Sequence, residues 1–313
     1  MALLVWLSGV DEAEWQKGLS AALDGYPVHC RGEDYDPASI RHVLAWKPEP
    51  QAFAGLTGLR TILSLGAGVD SLLAHSALPD VPIVRFVDDD LTRAMSDYVI
   101  AQVMMHQRLF SRYKADQRAR VWSQFYPPAS NRIAVGIMGL GVLGTDAALK
   151  LAAIGFAVNG WSRSGREIAG VTTFAGPESL DAFLGATDIL VNLLPLTPDT
   201  VGILNRETFR KLRRGPLAGG PVIVNAARGG HQVEADIVAA LGDGTLGAAS
   251  LDVFETEPLP PESPLWALEN CYITPHVAAI SNPESGVAYF AQAIRDAEAG
   301  RPLANVVDRA RGY

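Results

Sequence analysis

Ile133-Ala-Val-Gly-Ile-Met-Gly-Leu-Gly-Val-Leu-Gly-Thr145 is the stretch that decides the fold. An apolar run of strand length ends at Met138. Gly139-x-Gly141-x-x-Gly144 follows at once and opens a helical-period segment, Thr145–Ile154. The three glycines of such a unit have separate tasks. The first permits the tight turn, the second lets backbone approach a pyrophosphate, and the third lets helix pack on strand. The helix start then offers free N–H groups and the positive end of its dipole to phosphate. Glycines also close strand–helix turns for packing alone, but the strand before this loop and the helix after it point to a dinucleotide site.

Working outward, short apolar runs alternate with helical-period segments on both sides. Residues 2–7, 43–46 and 61–65 read as strands, 11–24 as an amphipathic helix and 91–120 as a long helical pattern. A polar, proline-bearing stretch from Ser123 to Arg132 breaks the chain. Beyond it, strands are readable at 133–138, 157–161, 189–194, 222–225, 248–251 and 272–274, then a helix at 283–299. Strands joined by crossover helices make a parallel sheet, and the six strands of the second set suffice for a dinucleotide-binding one. The expected fold is α/β, with two doubly wound parallel-sheet domains of Rossmann and flavodoxin type. Residues 1–97 and 282–313 are read as the substrate domain, with a dinucleotide-binding domain, 98–281, inserted in it.

Composition narrows the partners. The chain has 313 residues and a net charge of −8. A nucleic acid or an anionic membrane would want a basic face, so neither is expected, whereas a local arginine cluster can still hold a small anion. The two cysteines, Cys30 and Cys271, form no CxxC pair. Reduced thiols and a cytoplasmic setting are expected, with no metal site. Met1–Leu7 is apolar but lacks the flanks of a signal peptide, and no apolar run approaches the roughly 20 residues that span a bilayer.

The end of the second strand of the dinucleotide unit bears on the cofactor. Enzymes that bind NAD usually place a carboxylate there for the ribose hydroxyls. Here the strand ends Gly160-Trp-Ser-Arg-Ser-Gly-Arg166, with Ser162 and Arg163 at the tip and Arg166 close by. A carboxylate would repel a 2′-phosphate, whereas guanidinium binds it. NADP(H) is therefore favoured, with NAD(H) as the alternative.

Three later segments put polar residues at the C-terminal ends of expected strands, the edge where open parallel sheets bind ligands. They are Val224-Asn-Ala-Ala-Arg228-Gly-Gly, Leu251-Asp252-Val-Phe-Glu-Thr-Glu257-Pro and Ile273-Thr-Pro-His276. Reduction of a 2-oxo acid needs a cation for the carboxylate and carbonyl, which Arg supplies. It needs an acid for the nascent alkoxide, which His supplies near neutral pH. A carboxylate beside the His would orient it and favour its protonated form. Each residue alone has an ordinary structural explanation; on successive strand ends after a dinucleotide loop, together they read as a catalytic set.

These motifs, with Asn192-Leu-Leu-Pro-Leu-Thr-Pro198, stand in the order found in the D-isomer-specific 2-hydroxyacid dehydrogenase family, which the chain resembles. Ala45-Trp-Lys-Pro48, Leu65-Gly-Ala-Gly-Val-Asp-Ser71, Pro261–Trp266 and Thr274–Ile280 make it most similar to the branch that reduces glyoxylate and hydroxypyruvate. The resemblance implies that His276 is the acid/base, Glu257 its partner and Arg228 the binder of substrate carboxylate and carbonyl. It implies that Gly139, Gly141, Val142, Leu143, Gly144, Ser162, Arg163, Leu194, Pro195, Ala226, Arg228 and Asp252 contact the cofactor, with Asp252 on the nicotinamide carboxamide. Backbone N–H groups of Ala67, Gly68 and Val69 would cradle the substrate carboxylate, and Trp46 would wall the pocket. It implies a homodimer joined through residues 98–130. The stretch from the second strand to Gly176 looks short for enclosing an adenosine. Alternatives are a relative acting on 3-phosphoglycerate or D-lactate, and a dinucleotide-sensing binding protein. Formate oxidation is disfavoured, because that branch has an amide where Glu257 stands.

Overall fold

All strand pairs within the two sheets are parallel in the structure, a computed structural model describing residues 1–313. The chain divides into two units, Met1–Leu91 with Ile280–Tyr313, and Thr92–Ala279. The first division falls inside the helix Asp89–Gln107, whose apolar periodicity gives no sign of a boundary. The divisions expected from sequence, 97/98 and 281/282, lie six and two residues further along the chain.

The first unit carries β1 (Ala2–Leu7), β2 (Val28–Cys30), β3 (Ile40–Trp46), β4 (Thr61–Ser64) and β5 (Ile83–Arg85), in the spatial order 2-1-3-4-5. That is the flavodoxin-like order. Every residue of β1 is buried, as expected where helices cover both faces of a parallel sheet. The helix Pro283–Glu298 returns to this unit. Its Phe290 meets Trp15 of the helix Glu12–Ala22 edge-on and packs against Phe86 at a tilt. A side chain at Gly286 would come within 2.5 Å of the Trp15 ring, so a glycine there lets the two helices meet.

The second unit holds β6 (Ala134–Met138), β7 (Ala157–Ser162), β8 (Thr172–Ala175), β9 (Ile189–Asn192), β10 (Val222–Asn225), β11 (Ala248–Leu251) and β12 (Cys271–Ile273). Their spatial order is 12-11-10-9-6-7-8. The order reverses between β6 and β9, whose ends pair at Met138 and Asn192. Ligands bind at such a switch point in doubly wound sheets.

Three strands escaped the sequence reading: β2, β5 and β8. The first two have three residues each, and β8 is an edge strand with no fully buried residue, so none presents an apolar run. The second sheet therefore has seven strands rather than six. The 91–120 pattern is two helices, Asp89–Gln107 and Phe110–Ala119, parted at Leu109 in a left-handed conformation. The helix after the glycine loop starts at Val142, not Thr145.

Candidate active site

The glycine loop leaves β6 with Gly139 at φ +98°, where a side chain would also lie 2.6 Å from the Leu193 carbonyl oxygen. At Gly144, inside the first turn of the helix Val142–Ile154, a Cβ would fall 1.8 Å from the Gly139 carbonyl oxygen. Both positions are forced by packing. Gly141 differs: a Cβ there would meet nothing within 4 Å. Gly141 also caps a helix whose start has no side-chain cap and no acidic residue in its first turn. Open space before uncapped N–H groups is what a bound phosphate needs, so the loop fits a dinucleotide.

Beyond β7, Ser162 Oγ donates to the Ser164 carbonyl at 2.8 Å, and the Gly176 amide at the end of β8 returns to the Ser162 carbonyl at 3.0 Å. The stretch that looked short thus holds an edge strand beside the tip of β7. Arg163 is exposed on that tip. Arg166 Nη1 donates to the Leu140 carbonyl at 3.1 Å and approaches Thr145 Oγ1 at 3.4 Å, which sets a guanidinium beside the glycine loop.

The ends of β9 and β10 hold a buried amide network. Asn192 Nδ2 donates to Asn225 Oδ1 at 3.0 Å, and Asn225 Nδ2 donates to Gln232 Oε1 at 2.8 Å and to the Arg228 carbonyl at 3.1 Å. Gln232 Nε2 continues to the Val253 carbonyl at 3.0 Å. His231 is fully buried, with its ring between the carbonyls of Arg228 and Pro195. A Cβ at Gly229 would collide with the Phe254 carbonyl oxygen at 1.8 Å. These contacts fix the backbone of the half-buried Arg228 from several sides. Leu194, Pro195 and Ala226 lie on the same strand ends, with Leu194 and Ala226 buried.

Past β11, Asp252 is buried and organises the turn that carries His276. Its carboxylate accepts from Thr274 Oγ1 at 2.6 Å and from the amides of Val277 and Ala278 at 2.9 and 3.0 Å. Its carbonyl accepts the His276 amide at 2.7 Å. His276 is held at φ +55°, uncommon for a residue with a side chain. Its Nδ1 lies 3.1 and 2.9 Å from the two oxygens of Glu257. A carboxylate only accepts, so Nδ1 carries the proton, and Nε2 is the nitrogen left for a substrate. The pair is partly open to solvent, as groups that meet a ligand must be. Thiol chemistry is disfavoured: burial, and then nearby carboxylates, push Cys30 up to about 11 and Cys271 up to about 12.

In the other unit, Gly66, Ala67, Gly68 and Val69 make the turn between β4 and the helix Asp70–Leu73. Trp46, the last residue of β3, lies against Gly66, where a Cβ would come 2.3 Å from the indole. The turn is tied down by Ser64 Oγ on the Gly66 carbonyl at 3.1 Å and Ser281 Oγ on the Leu65 carbonyl at 2.7 Å.

The sequence reading missed the supporting polar residues. Asn192 and Asn225 carry a signal, an amide closing an otherwise apolar strand. Tyr98, whose hydroxyl meets Thr274 Oγ1 at 2.8 Å, carries none, because its partner is distant in sequence.

The family model for the D-isomer specific 2-hydroxyacid dehydrogenase, NAD binding domain, matches residues 100–278. A glyoxylate/hydroxypyruvate reductase A of Yersinia enterocolitica is 39% identical, with 96% of each chain covered. One of Escherichia fergusonii is 40% identical over 100% of both chains. Among solved structures, an NADPH-dependent glyoxylate/hydroxypyruvate reductase of Sinorhizobium meliloti, in complex with NADP and sulfate, superposes with a TM-score of 0.95 at 48% identity, covering 100% of this chain and 99% of that one. A probable 2-hydroxyacid dehydrogenase of Rhizobium etli, in complex with NADP, gives 0.92 at 45% identity over 100% and 99% of the two chains. With this fold, this strand-end site and these relatives, the chain belongs to the D-isomer specific 2-hydroxyacid dehydrogenase family.

Proposed function

We propose that the chain reduces glyoxylate and hydroxypyruvate to their 2-hydroxy acids, with NADPH as the hydride source. The observation that carries this is His276 Nδ1 held by both Glu257 oxygens in the unit that also holds Arg228 and the glycine loop. The bound dinucleotide supplies the hydride. Residues of this chain do the rest. Arg228 binds the substrate carboxylate and draws electron density from the carbonyl. His276, protonated on both nitrogens, gives its Nε2 proton to the carbonyl oxygen as the new C–H bond forms. Glu257 stabilises the imidazolium before the transfer and fixes its orientation after it. The Ala67–Val69 amides cradle the carboxylate and Trp46 walls the pocket.

The glycine loop with Val142 and Leu143 takes the pyrophosphate. Ser162 and Arg163 take the 2′-phosphate, with Arg166 beside them, and Leu194, Pro195, Ala226 and Asp252 line the nicotinamide side. On this reading Met1–Leu91 with Ile280–Tyr313 is the substrate domain and Thr92–Ala279 the nucleotide domain. No helix is long and apolar enough to cross a membrane, and both cysteines are free thiols. Those facts support a cytoplasmic enzyme. Exposed aromatic residues in the 98–130 region support a homodimer.

The deciding measurement is kcat/KM for glyoxylate and hydroxypyruvate with NADPH and with NADH, beside D-lactate and 3-phosphoglycerate in the oxidative direction. The expected result is NADPH-dependent reduction of the two small oxo acids. Equal or better use of NADH would overturn the role given to Arg163. Preference for D-lactate or 3-phosphoglycerate would overturn the substrate assignment.

A further inference from the structure

We propose that the Tyr98 hydroxyl is a positioning group for His276, acting through Thr274 and Asp252. The inference rests on the reading of His276 as proton donor. Asp252 accepts at both carboxylate oxygens and donates nowhere, so Thr274 Oγ1 must spend its single proton on Asp252. The oxygen of Thr274 is then the acceptor in its 2.8 Å contact with Tyr98, and Tyr98 is the donor. The direction of the chain is thereby fixed, from phenol to alcohol to carboxylate. Each donor polarises the next. Burial first, and Asp252 after it, push the Tyr98 phenol up to about 12, which keeps it a neutral donor at working pH.

The end of this chain is the residue that clamps His276 from both sides. The Asp252 carbonyl takes the His276 amide, and its carboxylate takes the amides of Val277 and Ala278, the next two residues. A non-glycine residue at φ +55° persists only where its surroundings over-determine it. If the carboxylate swings, the turn relaxes and His276 Nδ1 drifts from Glu257. Tyr98 therefore helps hold the geometry that keeps His276 aimed.

The same helix supplies an internal comparator. Gln102 and His106 stand four and eight residues after Tyr98 on one helix face. Both meet Ser250 Oγ at 2.8 Å, two residues before Asp252 on the chain. That contact docks helix on strand without touching the 274–278 turn.

The test compares Tyr98→Phe, Thr274→Val, Thr274→Ser, the Tyr98→Phe/Thr274→Val double variant and Ser250→Ala in the full chain. Readouts are kcat, KM for NADPH and glyoxylate, and the thermal midpoint. Thr274→Val should lower kcat roughly 10-fold, the scale of a small misplacement of a reacting group. Tyr98→Phe should lower it less, and both should leave the KM for glyoxylate within about 2-fold, because Arg228 binds the substrate carboxylate. Thr274→Ser, which keeps the hydroxyl that joins Tyr98 to Asp252, should restore kcat to within about 2-fold of the parent. The double variant should cost no more than Thr274→Val alone, since the two residues act in series. Ser250→Ala should lower only the thermal midpoint.

Wild-type kinetics in Tyr98→Phe, additive losses in the double variant, or a kcat that Thr274→Ser fails to restore would each overturn the proposal. Should Thr274→Val not fold, kcat against KM in Tyr98→Phe still decides. Near-normal turnover in folded His276→Ala would instead remove the acid assignment itself, whatever Tyr98 does.

Discussion

At the scale of single residues, the site depends on what surrounds each charged group. His276 is oriented because Nδ1 is taken by Glu257 and because Asp252 holds its backbone. His276→Ala should reduce kcat by roughly 10² to 10⁴, the usual worth of a positioned general acid, with NADPH affinity retained. Steady-state reduction of glyoxylate, with folding verified by circular dichroism, checks it. Glu257→Gln keeps a neighbour for Nδ1 but removes the charged acceptor that holds the ring. Its kcat for glyoxylate should fall at least about 10-fold, and an unchanged kcat would argue that Glu257 acts by shape alone. Arg228, Glu257 and His276 were legible in the sequence because each lies in the loop that follows an expected strand. The residues that hold them were less so. Asn192 and Asn225 look like strand caps, and their pairing appears only when parallel β9 and β10 are in register.

At the scale of elements, the glycine loop separates glycines that packing demands from one that it leaves open. Gly144→Ala puts a methyl 1.8 Å from a backbone carbonyl oxygen, and the thermal midpoint should fall by several degrees or folding should fail. Gly141→Ala puts it in open space. The midpoint should hardly change without cofactor, while the Kd for NADPH, read by fluorescence, should rise at least about 10-fold. Unchanged affinity in Gly141→Ala would mean that the pyrophosphate does not approach there. The helix Asp89–Gln107 carries a second element-scale consequence. Burial alone lowers His106 to about 4 from its ordinary 6.5. The unfolded chain therefore binds a proton on this residue below about pH 6.5 that the folded chain refuses until about pH 4. Its contribution to stability is present above 6.5 and is lost as pH falls through that window, by about 3 kcal/mol in all. His106→Gln should flatten the loss of stability between pH 6.5 and 4 relative to the parent, as measured by urea unfolding. An identical acid slope in the two proteins would contradict it. None of this was legible beforehand: the periodicity marked a helix but not its buried polar face, nor the break at Leu109.

At the scale of the whole molecule, the connectivity was legible because two sets of apolar runs flank a proline-rich break and one late helix follows. Strand count was not, since β2, β5 and β8 are too short or too exposed to write a pattern. The surface gives the last prediction. Phe110 is 61% exposed, Trp122 94% and Tyr126 99%, all within one segment that also holds Val121 at 54%. Large aromatic side chains this open are costly in water and mark interaction surfaces when they cluster. Arg112 stacks on the Phe125 ring at 3.4 Å, a contact that stiffens the segment without covering its neighbours. A second copy of the chain would bury these rings by presenting the same patch, the self-complementary arrangement of a two-fold dimer. Sedimentation should therefore find a dimer at micromolar concentration. Trp122→Ser with Tyr126→Ser should shift it toward monomer while the Kd for NADPH stays within about 2-fold of the parent, because the glycine loop lies on other elements. A parent protein that sediments as a monomer, or a double variant that stays dimeric, would show that these rings do not join two copies.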